Sequence, residues 1–353
     1  MELIDVLTTF PNRYASFSEQ TTEMENDGVL HIKRFNTPAH QSGMRDQTAA
    51  FYHYARSVWQ SIKDKQYDLV FATSSRLATA TLGALVARRL GAPLYLDIRD
   101  IFTDTLTDLA AGRPLALIIP MLRMVERWTF KNATKVNLVS EGFKYYFQGI
   151  LPDQVFSFFP NGVDDEFIGQ DFHKPKSEDL ITILYAGNIG AGQGLHSILP
   201  KAASMLGEHY KLVVVGDGGM RQQLVKESRK QGVHNLEIHD PVPRTRLLKM
   251  YQETDYLLIH LNDYPAFHKV LPSKLFEYGA TGKPILAGVA GFAREFVKQE
   301  IIHSALFDPC DAVGMVEAVH NLSPAETDRH DFVSRYSRQS IVARMVDDIL
   351  SLE

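Results

Sequence analysis

Cysteine is almost missing: the 353 residues hold one, Cys310. A single thiol closes no internal disulfide, and no Cys/His spacing resembles a zinc site, so a reducing compartment fits the chain. Long apolar runs are lacking as well. No stretch approaches 18 uncharged apolar residues, and the N-terminus has no basic segment leading into an apolar one, which argues against a spanning helix and a signal peptide. Positive charge is scarce: 37 Lys+Arg stand against 42 Asp+Glu, net −5. Residues 1–160 carry 17 cations and 16 acids, leaving 20 cations and 26 acids to the remainder. A nucleic-acid binder would carry a basic surplus, so that class is set aside. The first half is neutral enough to approach an anionic membrane.

What is present is the composition of a soluble globular protein, 45% apolar and 22% charged, in a length that suits two domains. Residues 3–8 and 31–35 read as strands, with a loop at residues 10–14 between them. Residues 47–65 read as a helix with Phe51, Tyr54, Ala55, Val58 and Ile62 on one face. Residues 68–72 form a buried parallel strand, Ser74 and Ser75 cap a helix over 77–90, and Gly91-Ala92-Pro93 turns the chain into a strand at 94–97. A helix ending near Asn132 leads to a strand at 136–139, and Ser140 caps the next helix. After Pro160-Asn161-Gly162-Val163-Asp164 the alternation restarts, with strands at 181–185, 211–215, 236–239 and 256–260. This spacing predicts an α/β protein of two doubly wound parallel sheets. The domains are placed at 1–160 and 161–336, with a last helix over 337–353 that has Ile341, Met345, Ile349 and Leu350 on one side.

The most chemically loaded stretch is residues 271–285, LPSKLFEYGATGKPI. Leu271 precedes Pro272 and Ser273, which read as a helix start with Ser273 as the cap; Gly282 ends the helix about two turns later. Free N–H groups at such a start, with Lys274 just inside it, favour a phosphate. Glu277, one turn deeper, is placed to accept both hydroxyls of a ribose. The plainer reading is a capped surface helix whose Lys274 and Glu277 are solvated.

Other stretches gain weight beside it. Gly187-Asn188-Ile189-Gly190-Ala191-Gly192-Gln193-Gly194 follows a strand and opens a helix, where glycines let a phosphate reach backbone N–H groups. Val215-Gly216-Asp217-Gly218-Gly219 makes a second such turn at the carboxyl edge of the same sheet. Asp97-Ile98-Arg99-Asp100 ends a strand of the first domain. It is open to two readings: an internal ion network, or Asp100 with Arg99 facing a cleft to orient a hydroxyl or take its proton. Residues 113–131 mix an apolar run with Arg113, Arg123, Arg127, Lys131 and Trp128. They read either as a core helix interrupted at Pro120 or as a segment that lies on a membrane.

Pro-Ser-Lys, two residues, Glu-Tyr, then Gly-Lys-Pro-Ile resembles the nucleotide-sugar clamp of retaining GT-B glycosyltransferases of the GT4 family, in particular its O-antigen and capsule branch. Pro160-Asn161-Gly162-Val163-Asp164 resembles that family's crossing between domains. The resemblance covers nearly the whole chain from Leu3 and implies two Rossmann-like domains facing a cleft, with the last helix crossing back to the first. It implies that Glu277 holds the donor ribose, and that the loop bearing Gly187, Asn188, Gly190, Gln193 and Gly194 lies under the diphosphate. Asn188 and Gln193 match the branch's form of that loop. Gly216, Asp217 and Gly218 fall near the donor, and the turn around Val242 falls beside the base. The reaction implied moves a sugar from a nucleoside diphosphate, most simply UDP, with retention, to a polyprenyl-linked glycan at the cytoplasmic face of a membrane. Asp-any-Asp, the metal-diphosphate motif of the other major glycosyltransferase fold, occurs nowhere in the chain, so neither a metal nor another cofactor is expected.

Two departures from the family stand out. By comparison with it, about thirty residues, a strand, a Gly-rich loop and a helix, are missing ahead of Asp5-Val6-Leu7, which predicts a shortened or misassigned start or an exposed strand edge in the first domain. Lys269 stands where the family has the first of two Glu residues, eight positions before Glu277. It faces the phosphate, the sugar or solvent. These departures keep two rivals open: a nucleotide-sugar-binding subunit without turnover, and a sugar-nucleotide epimerase on the same fold.

Overall fold

The computed structural model describes residues 3–10, 21–37, 44–109, 117–174 and 180–352. The expectations placed on residues 11–14 and 113–116 lie outside the described residues. The first half runs β1 (Ile4–Thr9), β2 (Met24–Asp27), β3 (Leu30–Phe35), α1 (Met44–Ser61), β4 (Val70–Ser74), α2 (Leu77–Leu90), β5 (Leu94–Ile98), α3 (Phe102–Leu109), α4 (Ile119–Lys131), β6 (Lys135–Leu138), α5 (Lys144–Ile150) and β7 (Phe156–Ser157). The second half runs β8 (Ile181–Ala186), α6 (Leu195–Leu206), β9 (Tyr210–Val215), α7 (Arg221–Lys230), β10 (Leu236–His239), α8 (Arg244–Glu253), β11 (Tyr256–His260), α9 (Lys274–Ala280), β12 (Ile285–Gly288), α10 (Gly291–Glu300), β13 (Ser304–Phe307), α11 (Ala312–Asn321), α12 (His330–Tyr336) and α13 (Arg338–Leu350).

In the second half all six strands pair in parallel, in the order β10-β9-β8-β11-β12-β13. Helices cover both faces, so the central strands read as unbroken apolar runs; every residue of β11 is buried. One face carries Leu184, Leu257, Phe276 and Ile285, the other Ile183, Leu199, Val214 and Leu258. Each such side chain contributes about 1.5–3 kcal/mol when fully buried.

The first half was expected to form one sheet and forms two. β1 pairs with β3, β2 joins β3 antiparallel, and β4-β5-β6-β7 is a separate parallel sheet. No ladder joins β1 to β4 among the described residues. What holds the two together is shared helix packing: Leu7 and Phe35 of the small sheet and Val70 of β4 meet Val58 and Ile62 after or within α1 and Leu82 and Val86 of α2. β4 is therefore an edge strand. Its Phe71 is 44% exposed, while every residue of its neighbour β5 is buried.

The halves are linked by two chain crossings that hold each other. The Val163 N–H donates to the Tyr336 carbonyl (2.7 Å) and the Arg338 N–H to the Val163 carbonyl (2.8 Å). Gly162 sits at φ +75° there, and a Cβ on it would meet the Tyr336 oxygen at 3.0 Å. Glycine is required by both conformation and space. α13 then returns to the first half, where Asp348 accepts from the hydroxyls of Tyr95 (2.8 Å) and Ser157 (2.7 Å) and pairs with Lys135.

Candidate functional site

The two glycine turns at the carboxyl edge of the second sheet pack backbone against backbone. A Cβ on Gly216 would stand 1.8 Å from the Gly187 carbonyl oxygen, and one on Gly218 2.6 Å from that of Ile189. Only glycines let the strand ends β8 and β9 approach so closely. The Gly187 N–H donates to Val215 (2.9 Å) and the Ile189 N–H to Asp217 (2.8 Å), while the Asp217 carboxylate caps Gly218 N–H (2.8 Å). Inside the first turn, Asn188 donates to the Gln193 side-chain oxygen (2.9 Å), which also accepts from the Gly190 N–H (3.2 Å). The two polar residues thus shape the loop. Gly194 is left-handed (φ +60°) and precedes α6.

α9 departs from expectation at its start. The Ser273 backbone is already helical and its side chain makes no capping bond. Pro272 and Ser273 instead offer carbonyls to the N–H groups of Leu275 (3.1 Å) and Phe276 (3.1 Å), and Leu271 is buried in the core beneath. Gly282, at φ +72°, follows the end of the helix as read from the sequence.

Lys274 and Glu277 are brought together, and neither is a solvated charge. Three donors converge on Glu277 Oε2: Lys274 Nζ at 2.9 Å, Arg244 Nη1 at 3.1 Å and the Tyr251 hydroxyl at 3.1 Å. Among the described residues no hydrogen bond reaches its Oε1. Burial alone would raise the Glu277 carboxyl, but Lys274 and Arg244 outweigh it and hold it below the usual carboxylate range. The site therefore presents an ionised carboxylate with one oxygen anchored and one open. Val242 lies nearby, packed on the same core as Tyr251.

On the first half, the Arg99 guanidinium is held by three side chains although its side chain is 40% exposed. Its guanidinium binds Asp97 (3.0 Å), Thr73 (2.9 Å) and Asn161 of the linker (2.7 Å), and buried Asp97 also accepts from Asn137 (2.7 Å). That part of the strand end is the internal network. Asp100 turns elsewhere: its Oδ1 caps the Ile101 N–H (2.8 Å), and it borders a small cavity with Ser74, Arg76 and Glu126. Burial pushes the carboxyls of both Asp100 and Glu126 up, and Glu126 accepts from the Tyr146 hydroxyl (2.6 Å). Among the described residues no hydrogen bond or ion pair joins Asp100 or Arg99 to Lys274 or Glu277. A larger cavity of about 670 Å³ lies between residues 167–173 and 326–337, and none of the expected site residues lines it.

A family model described as glycosyl transferases group 1 matches residues 168–339, and one described as a glycosyl transferase 4-like domain matches residues 4–162. This chain belongs to the GT4-like glycosyltransferases. Its fold is GT-B. The putative colanic acid biosynthesis glycosyl transferase WcaI of Escherichia coli (strain K12) is 29% identical over 218 residues, covering 56% of this chain. The chain spans about half the length of that relative, 51%. Among solved structures, sucrose-phosphate synthase from Thermosynechococcus elongatus superimposes with a TM-score of 0.75 at 14% identity, over 99% of this chain and 88% of that one. Anabaena HepE in complex with UDP-glucose does so with a TM-score of 0.67 at 16% identity, over 92% and 86%.

In this GT4-like chain, several contacts at the site escaped the sequence. The Lys269 side chain is about a third exposed and its ammonium pairs with Asp104 of α3, while its carbonyl accepts from the Ser140 hydroxyl (2.6 Å), so it joins the two halves. Asn262 ties the glycine loop down through Ala191 (3.0 Å) and Gly192 (2.8 Å). His260, fully buried, bonds the Gln193 carbonyl through Nδ1 (2.6 Å) and accepts from the Cys310 N–H through Nε2 (2.8 Å). Burial lowers this imidazole to about 4. Arg244 and Tyr251 sit on α8, about thirty residues before Glu277 in the chain. The one sequence signal for any of these was an arginine at a helix start after Pro241-Val242-Pro243.

Proposed function

We propose that the protein transfers a sugar from a UDP-linked donor, with retention, to a polyprenyl-linked glycan in cell-surface polysaccharide synthesis at the cytoplasmic face of a membrane. The reading rests on one observation above all: Glu277 is ionised, has one oxygen anchored by three donors, and leaves the other without a hydrogen bond among the described residues. Such a carboxylate accepts vicinal ribose hydroxyls. Lys274 uses one N–H on Glu277 and one on Tyr251 (3.3 Å), so its third is left for a diphosphate oxygen. The relatedness to WcaI and the likeness in fold to HepE, seen with UDP-glucose, support a nucleotide sugar and a surface glycan.

In this reading residues 1–160 form the acceptor side and residues 161–336 the donor side. The anomeric C–O bond breaks and its electron pair goes to the β-phosphate, where Lys274 and the N–H groups of Asn188, Ala191 and Gly192, which have no internal acceptor among the described residues, stabilise the growing charge. The acceptor oxygen bonds to the anomeric carbon on the face the diphosphate leaves, and its proton passes to the departing phosphate oxygen. Asp100, its carboxyl raised by burial, orients the acceptor hydroxyl. Fixed donors neutralise the diphosphate, so no metal is required. Exposed Leu117, Met121 and Met124, with Arg123, Arg127 and Lys131 on the same helix, give α4 a face for an anionic membrane.

A thermal-shift panel of nucleotides followed by a transfer assay on a lipid-linked acceptor, with and without EDTA, tests this. Stabilisation by UDP and a rate unchanged by EDTA support it; UDP binding without turnover on any acceptor favours a binding subunit instead. Isomerised donor in the absence of acceptor would point to an epimerase.

A further inference from the structure

The guanidinium of Arg244 is shared between the clamp and the linker that joins the two halves. Nη1 binds Glu277 (3.1 Å), Nε and Nη2 bind Glu166, and the group lies over the Phe167 ring at 4.9 Å from its centre. Glu166 and Phe167 belong to a single 3₁₀ turn, Asp165–Phe167, immediately after the crossing. Asp164, one residue earlier, pairs with Arg338 at the start of α13 and lies 4.0 Å from Arg244. On the far side of the crossing, Asn161 accepts from Arg99. One arginine therefore holds the donor carboxylate with one edge and the interdomain chain with the other.

We propose that Arg244 is a positioning residue that couples occupation of Glu277 to the interdomain linker, so that seating a nucleotide's ribose tightens the crossing and sets the two halves for transfer. The proposal rests on the clamp reading above. Its physical basis is one cation bridging two carboxylates. A ribose on Oε1 draws Glu277 toward the ligand, and Arg244, bound to Oε2, carries Glu166 and the stacked Phe167 with it. Coupling of this kind is reciprocal, so loosening the linker costs the ligand part of its binding energy.

Glu166 is the place to cut the link, because its side chain binds Arg244 through Nε and Nη2 and shares no hydrogen bond with Glu277 among the described residues. Amide hydrogen exchange with and without UDP reads both ends. In the wild type, UDP should slow exchange in α9 and, by about tenfold, at the hydrogen-bonded amides of Val163, Phe167 and Ile168. In Glu166→Gln, UDP should still protect α9 while the protection gained at the linker disappears. In turnover, Glu166→Gln should lower kcat with the donor KM within about threefold, and Glu166→Asp should recover most of the rate. Equal linker protection in Glu166→Gln and wild type overturns the coupling. So does protection confined to α9 in the wild type. If UDP protects neither segment in the wild type, the clamp reading itself falls, and the coupling with it.

Discussion

At the scale of single residues, Glu277 and His260 lend themselves to test. Replacing Glu277 with Ala should weaken UDP binding by about 1.5–3 kcal/mol, the usual worth of hydrogen bonds to a charged group. Unchanged affinity in calorimetry would contradict the ribose assignment. The substitution also leaves Lys274 and Arg244 without their shared carboxylate, so a drop in thermal stability should accompany it. His260 makes a claim about pH. Its folded value near 4 lies below the ordinary 6.5, so between those values the unfolded chain holds the extra proton. Stability should be full above about 6.5 and fall as pH drops toward 4, by about 3 kcal/mol in all. Urea unfolding at several pH values, with the imidazole followed by NMR, checks the slope and its source. An imidazole that titrates near 6.5 in the folded protein removes the explanation.

At the scale of elements, the paired glycine turns and α4 behave differently. Gly216→Ala places a methyl within 1.8 Å of the Gly187 oxygen at φ +151°. It should cost about 3 kcal/mol and abolish nucleotide-induced stabilisation, because the β8 and β9 ends must then separate. Gly219→Ala, where nothing lies within 4 Å of a Cβ, is the matched control and should be near neutral. In α4 the buried stripe is Ile119, Glu126, Thr129 and Phe130, which leaves Met121 (55% exposed) and Met124 (67%) outward beside the basic residues. A double Met121→Glu, Met124→Glu change should leave thermal stability within about 0.5 kcal/mol. It should also remove sedimentation with anionic vesicles. Sedimentation equal to that of the wild type would show that the helix is not the contact.

At the scale of the whole molecule, the periodicity already held most of the architecture. α2, β10 and β11 fall at the predicted residues, because an amphipathic helix and a buried strand are written in spacings of a few residues. The antiparallel β2 was not foreseen: its sequence, MEND, has no apolar alternation, and β3 alone recruits it. The separation of β1 from β4 belongs to this scale too. Each strand satisfies one edge through its own neighbour, and only packing on α1 and α2 spans the gap. The return of α13 is long-range in the same way: Asp348→Ala should cost about 1–3 kcal/mol, because it strands the buried Tyr95 hydroxyl. Urea unfolding measures it, and a change below 0.5 kcal/mol would mean that the crossing helix draws nothing from that contact.

From sequence alone followed the alternation of strand and helix, the glycine turns after β8 and β9, and the three-residue spacing that sets Lys274 and Glu277 on one turn. Each of these depends on interactions a few residues long. Tertiary structure alone decided which groups meet those residues: Arg244 and Tyr251 on Glu277, Asp104 on Lys269, Asn161 on Arg99, His260 under the glycine loop. Those pairings join positions far apart in the chain. They exist because parallel sheets bring distant strand ends to one edge, where a charge too costly to bury alone must find its partner.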